Sequence, residues 1–168
     1  QQEKGRRAGT ENVAGIVGLG LACKLARSRL ASAAPRVAAL RERLEARLLA
    51  LPGARRHGDP EARAPGTTNL AFAGVEGELL FMNLDLRGVA VSTGAACSSG
   101  SPEPSPVLLA LGLTPAAALE AVRFSLGSTN TQLEVDQVAQ WVEEIILQVR
   151  ALSAPAGLSD KVPVGVSL

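Results

Sequence analysis

Thr131-x-x-Glu134 opens a run in which Val135, Val138, Val142, Ile145, Ile146, Val149 and Leu152 recur at helical spacing. The opening pair is a capping box, in which threonine and glutamate side chains satisfy each other's backbone N–H groups. The run behind it predicts a helix to about Leu152 with one continuous apolar stripe and Trp141 at its edge. Such a helix must lay that stripe on another layer. The layer is foreshadowed just upstream. Residues 121–127 alternate, with Val122, Phe124 and Leu126 to one side and Arg123 and Ser125 to the other, as in a half-buried strand.

The rest of the chain supplies more of both layers. Residues 68–73 alternate as a second strand, and residues 54–57, between Pro52-Gly53 and the Gly58-Asp59-Pro60 turn, form a short third. Residues 11–31 predict a helix rich in small residues, with Thr10 able to cap it and Cys23 within its close packing. Residues 31–35, ending at Pro35, read as a break or bend. A second helix then carries Val37, Leu40, Leu44, Leu48 and Leu51 on one face and Arg41, Glu42, Arg43 and Glu45 on a solvated one. Residues 76–84 predict a short helix with Leu79, Leu80 and Met82 inward, and residues 88–91 a buried strand. Residues 106–111 predict a helix closed by Gly112, and Thr114-Pro115 opens another. His57, the one histidine, stands at a strand end between arginine and glycine and reads as a surface residue. Together these predict a two-layer α/β domain: a small, largely antiparallel sheet covered on one face by helices. Residues 153–168 lose periodicity and read as a loosely ordered tail. The first ten residues lack an initiator methionine and read as the middle of a longer chain.

Composition narrows the function. A formal net charge of +1 and 2 % aromatic residues, with no tyrosine, give no footprint for nucleic acid and none for an acidic membrane surface. No apolar run has membrane-spanning length, and no Cys or His spacing suggests a metal. Cys23 and Cys97 sit in different settings, one helical and one in a loop, so no disulfide is expected. A reducing, cytoplasmic compartment is the default.

Cys97 lies in Ser92-Thr93-Gly94-Ala95-Ala96-Cys97-Ser98-Ser99-Gly100-Ser101, a stretch with no large side chain, followed by Pro102-Glu103-Pro104-Ser105. Free cysteine is most often a small buried hydrophobe. This polar, glycine-bearing setting offers no apolar pocket and instead holds a thiol on a pliant tether. No lysine or arginine is near it in sequence, so any activation of the thiol comes from the fold or the substrate.

Three pieces now stand together: Glu3-x-Gly5-x-Arg7-x-Gly9-Thr10-x-Asn12, the Cys97 stretch ending Glu103-Pro104-Ser105, and Arg123-Phe124-Ser125-Leu126-Gly127 before Asn130-Thr131. Together they resemble the C-terminal part of cysteine desulfurases of the NifS/IscS type, pyridoxal-phosphate enzymes of the class V aminotransferase fold. The resemblance reaches from the first residue to about Leu152. It implies the small C-terminal domain of a fold-type I enzyme over residues 1–152, with residues 1–10 an arm from the cofactor domain. It implies conversion of L-cysteine to L-alanine, with sulfur held as a persulfide on Cys97 for an acceptor or iron–sulfur scaffold protein. Arg123 matches the arginine that holds the substrate carboxylate, a task suited to its planar fork. Thr10 matches the threonine that reaches the cofactor phosphate of the partner subunit in a homodimer; a plain N-cap is the other reading. Ser128, Thr93 and Ala95 depart from the commoner residues. The family's cofactor lysine, ring-stacking histidine and pyridine aspartate all precede this segment, so the segment alone should not hold the cofactor covalently. A stand-alone sulfur-relay module is the alternative from another class, and a relative such as a selenocysteine lyase is a third.

Overall fold

The computed structural model describes residues 3–6, 8–93 and 103–153; Cys97 and the expected tail beyond Ser153 lie outside the described residues. After a single 3₁₀ turn at Glu3–Gly5 the elements are α1 (Val13–Leu48), β1 (Ala54–His57), β2 (Thr67–Phe72), α2 (Gly77–Asp85), α3 (Pro106–Ala110), α4 (Pro115–Leu119), β3 (Ala121–Ser125) and α5 (Gln132–Ser153). The strands form an antiparallel sheet in the order β1-β2-β3.

Alternation decides what each strand does. Leu70 and Phe72 of β2 and Val122 and Phe124 of β3 face the core. There they meet Leu44 and Leu48 of α1, Leu84 of α2, and Val142 and Ile146 of α5. Among the described residues the opposite face is covered only at one end, where Ala71 and Ala121 touch Leu108 of α3 and Ala118 of α4. The capping box forms as expected: the Thr131 N–H donates to Glu134 Oε2 at 2.8 Å and the Glu134 N–H to Thr131 Oγ1 at 3.2 Å. At Gly66 the chain runs against the exit of β3. The Leu126 N–H donates to the Gly66 carbonyl at 2.7 Å, and a β-carbon there would strike the Leu126 carbonyl and a Val37 methyl.

Four expectations are corrected. First, of the break or bend expected at residues 31–35, no break occurs: α1 is one helix of 36 residues with Pro35 inside. Proline lacks the N–H that would reach the Ala31 carbonyl and ordinarily costs about 3 kcal/mol in a helix interior. The flanking alanines, leucines and arginines are strong helix formers. Arg36, directly after the proline, is pinned to the carbonyls of Ser128 and Asn130. Second, Arg41 and Glu45 are not solvated but buried, 6 % and 4 % exposed. Third, in α2 it is Leu80 and Leu84, one turn apart, that are buried, while Leu79 and Met82 are exposed. Fourth, residues 88–91 form no strand; only Ser92 makes a bridge, to Arg123.

The N-terminal half of α1 stands clear of everything else described. Residues 11–31 are exposed around the whole circumference, including Ile16, Val17, Leu19, Leu21 and Leu30, each more than half exposed. Cys23, expected within close packing, is exposed on this segment. The C-terminal half is fixed to α5 by two bidentate ion pairs. Arg43 grips Asp136 at 2.6 and 2.8 Å, and Arg47 grips Glu143 at 2.9 and 3.1 Å.

Glu45 is the buried electrostatic centre. Arg63 binds both its oxygens, Arg56 lies 3.5 Å away and Arg41 3.9 Å. Burial pushes the Glu45 pKa up, but the hydrogen bonds and charge of Arg63, with the charge of Arg41, outweigh it and hold the carboxyl below its ordinary 4.5. A depressed folded pKa means a contribution fully present above the unfolded value and lost as pH falls through the folded one. Urea unfolding should therefore show stability falling below about pH 4.5. Glu45→Gln should flatten that acid limb and lower stability at pH 7 by about 3 kcal/mol, because it strands buried arginines. A parallel acid limb in the variant contradicts this assignment. In the same folded chain, a mild alkylating agent should label Cys23 before denaturation; labelling that waits for denaturant would mean that this half of α1 is covered.

Candidate active site

The open face of the sheet is built by the same alternation that builds the core. Its residues are Arg55 and His57 of β1, Thr67 and Asn69 of β2, and Arg123 and Ser125 of β3, as the antiparallel registers dictate. No residue of the three strands is acidic. The face is electropositive and invites an anion.

Arg123 is on the outer strand β3, exposed between buried Val122 and Phe124. Its backbone N–H donates to the Ser92 carbonyl at 2.7 Å, and its carbonyl accepts from the Ser92 N–H at 3.1 Å. Both backbone groups therefore point away from β2. The Asn69–Arg123 pair is thus a non-hydrogen-bonded one, the kind that brings side chains closest. Among the described residues the Arg123 guanidinium has no ion-pair or hydrogen-bond partner. A planar fork left free on an open face can take a carboxylate through two parallel bonds.

Ser92 belongs to the root of the stretch carrying Cys97. Next to it the Thr93 hydroxyl donates to Glu78 Oε2 of α2 at 3.2 Å. On the far side Ser105 is buried at the start of α3, whose first residue is Pro106. Both attachment points are thus built into the fold, while Cys97 itself is outside the described residues.

Thr10 is brought to neither. It is exposed, and it is not the helix cap: Asn12 takes that role, its side chain accepting the Gly15 N–H at 2.9 Å. A β-carbon at Gly15 would lie 2.7 Å from the Asn12 amide nitrogen, so a side chain there would push this cap aside. The first buried residue of α1 is Val37. At 1.5 Å per residue, Thr10 lies roughly 40 Å along the chain axis from that packed part. Its hydroxyl, not used by the cap and close to the positive end of a long helix, suits a phosphate. Lys4 and Lys24 are exposed.

His57, read from sequence as a surface residue, is half-buried, with Nδ1 2.8 Å from Asn69 Oδ1. Asn69 was not singled out from the sequence. The alternation of TTNLAF, combined with a pairing of β2 to β3, is the signal that would have put it beside Arg123. Among the described residues no group of His, Cys, Asp and Glu could hold a metal, and no helix is long and apolar enough to cross a membrane.

Residues 1–138 match the family model described as "Aminotransferase class-V". The chain is 48 % identical over 153 residues to a cysteine desulfurase of Gluconacetobacter diazotrophicus, covering 90 % of this chain and 38 % of the relative. It is 46 % identical over 153 residues to the cysteine desulfurase NifS of Azotobacter vinelandii, with the same coverage. Among solved structures it resembles a NifS-like protein from Rickettsia africae, with a TM-score of 0.74 and 30 % identity over 86 % of this chain and 37 % of that one. The chain thus spans about two fifths of the length of the relatives it matches.

The geometry separates function from stability within β3. Arg123→Gln should shift the thermal unfolding midpoint very little, by the equivalent of about 0.5 kcal/mol or less. Phe124→Ala should cost about 3–5 kcal/mol. Equal losses would mean that Arg123 is a structural residue.

Proposed function

The chain belongs to the class-V aminotransferase family, and from that premise we propose that it is the C-terminal segment of a pyridoxal-phosphate-dependent cysteine desulfurase. The observation that carries the reading is the paired backbone bonding of Ser92 to Arg123. It ties the root of the Cys97 stretch to the strand residue best suited to hold a substrate carboxylate. The covalent chain from Ser92 to Cys97 spans at most about 18 Å, so the thiol stays within reach of that anchor.

In this reading residues 1–152 are the small domain, with residues 1–10 an arm from the cofactor domain. Arg123 binds the carboxylate of L-cysteine bidentately and so fixes where its sulfur lies. The Cys97 thiolate attacks that sulfur. An S–S bond forms on Cys97, the substrate C–S bond breaks with its electron pair left on carbon, and protonation there gives L-alanine. When bound, pyridoxal phosphate supplies the electron withdrawal that makes this cleavage possible. Thr10 would hold its phosphate. Because α1 carries Thr10 far from Arg123, the two residues would serve one site only across two chains, which favours a homodimer. The persulfide then passes to a sulfur acceptor such as an iron–sulfur scaffold protein. The lack of any acidic-membrane or nucleic-acid footprint fits a cytoplasmic enzyme. Nothing favours a relay module or a selenocysteine lyase over the name that relatives 46–48 % identical carry.

Peptide mass spectrometry of the complete enzyme after incubation with L-cysteine should find one added sulfur on the Cys97 peptide, and Cys97→Ser should abolish sulfur release. Arg123→Ala should raise the KM for cysteine by the equivalent of roughly 2–5 kcal/mol, with Arg123→Lys recovering part. Added sulfur on Cys23 alone, or unchanged kinetics in Arg123→Ala, defeats the proposal.

A further inference from the structure

We infer that Asn69 is a second anchor for the substrate carboxylate, beside Arg123, with His57 fixing the direction of its amide; this rests on the assignment of Arg123 to that carboxylate. His57 Nδ1 lies 2.8 Å from Asn69 Oδ1. An amide oxygen only accepts, so Nδ1 carries the proton and donates. His57 stands directly opposite Asn69 on β1, and β3 lies on the other side of β2. With Oδ1 turned towards β1, the amide NH₂ occupies the branch on the β3 side.

Arg123 is the direct partner there, in a non-hydrogen-bonded pair whose β-carbons stand about 4.5–5.5 Å apart. The side chains facing each other across this pair are an NH₂ group and a guanidinium. Both are donors, so they cannot satisfy one another, and an acceptor placed between them can take both. No strand residue offers a carboxylate. A cleft of about 210 Å³, lined by His57, Asp59, Arg63, Thr67 and Asn69 among others, opens beside the row. A ligand carboxylate has lone pairs enough to take the Arg123 fork and the Asn69 amide together. His57 does not touch the ligand in this arrangement; it is a positioning residue that keeps the amide from turning its oxygen towards the anion.

The test uses the complete enzyme and two ligands of nearly one shape, L-alanine, which has the carboxylate, and L-alaninamide, which does not. Asn69→Ala should weaken L-alanine about tenfold, in line with loss of a hydrogen bond to a charged group. Asn69→Asp, nearly isosteric and able to fold alike, should weaken it by about a hundredfold, since it adds a repelling charge that also captures Arg123. Both should leave L-alaninamide within about twofold of wild type. His57→Asn, whose amide NH₂ can replace Nδ1–H, should retain L-alanine affinity, while His57→Leu should lose part of it. If the Asn69 variants weaken both ligands equally, or leave L-alanine unchanged while Arg123→Ala still weakens it, Asn69 is no anchor. If Arg123→Ala itself leaves L-alanine unchanged, the carboxylate assignment is what fails.

Discussion

Strand β3 has to satisfy three neighbours with five residues. Its core side must present Val122 and Phe124 to the helices, its open side must present Arg123, and both its backbone edges are engaged, one by β2 and one by Ser92. A slip of one residue would send Arg123 into an apolar core and turn Phe124 to water, so burial pins the register far more strongly than the ladder bonds alone. Everything placed on the open face inherits that fixity. Asn69 takes its position from β3, His57 from Asn69, and the root of the Cys97 stretch from Arg123. The helices matter to the site mainly because they make this register the one with buried apolar side chains.

The elements that were legible in the sequence are those whose local pattern agrees with their environment. α5 announces itself by a capping box and an unbroken stripe, β3 by strict alternation, and α4 by Thr114 before proline, whose hydroxyl does accept the Ala117 N–H. The misreadings share a cause, which is that a distant partner decided them. Pro35 reads as a break or bend, yet the helix runs on through it, with Arg36 held by carbonyls more than ninety positions away in sequence. Arg41 and Glu45 read as solvated because charge usually is; they are buried because Arg63 and Arg56 arrive from other elements. Residues 88–91 are apolar enough for a strand, but only Ser92 finds a paired partner. At the site, Arg123 was legible from its setting and from resemblance, whereas Asn69 needed the pairing of two strands fifty positions apart to acquire meaning.

The protein also shows how differently one helix can be used along its length. From Val37 onward α1 follows ordinary rules, with leucines inward and arginines bridged to α5. Before that its leucines, isoleucine and valines face outward on all sides. From residue 13 to residue 23 the helix is apolar all round, and such a stretch belongs inside something, whereas Lys24, Arg27 and Arg29 follow it. That half therefore carries a surface whose complement is not among the described elements.

Pro35 gives this arrangement a mechanical character. It is the point where the helix lacks a backbone hydrogen bond, and such points are where helix axes bend most readily. Val13 precedes it by about 33 Å of helix. On a lever of that length, a rotation of roughly 10° at the proline displaces the Thr10 end by about 6 Å, several times a bond length, with no change in the sheet. The clamp of Arg36 on the Ser128 and Asn130 carbonyls sits right at the fulcrum. A single side-chain attachment thus steadies the point from which more than twenty residues of helix project.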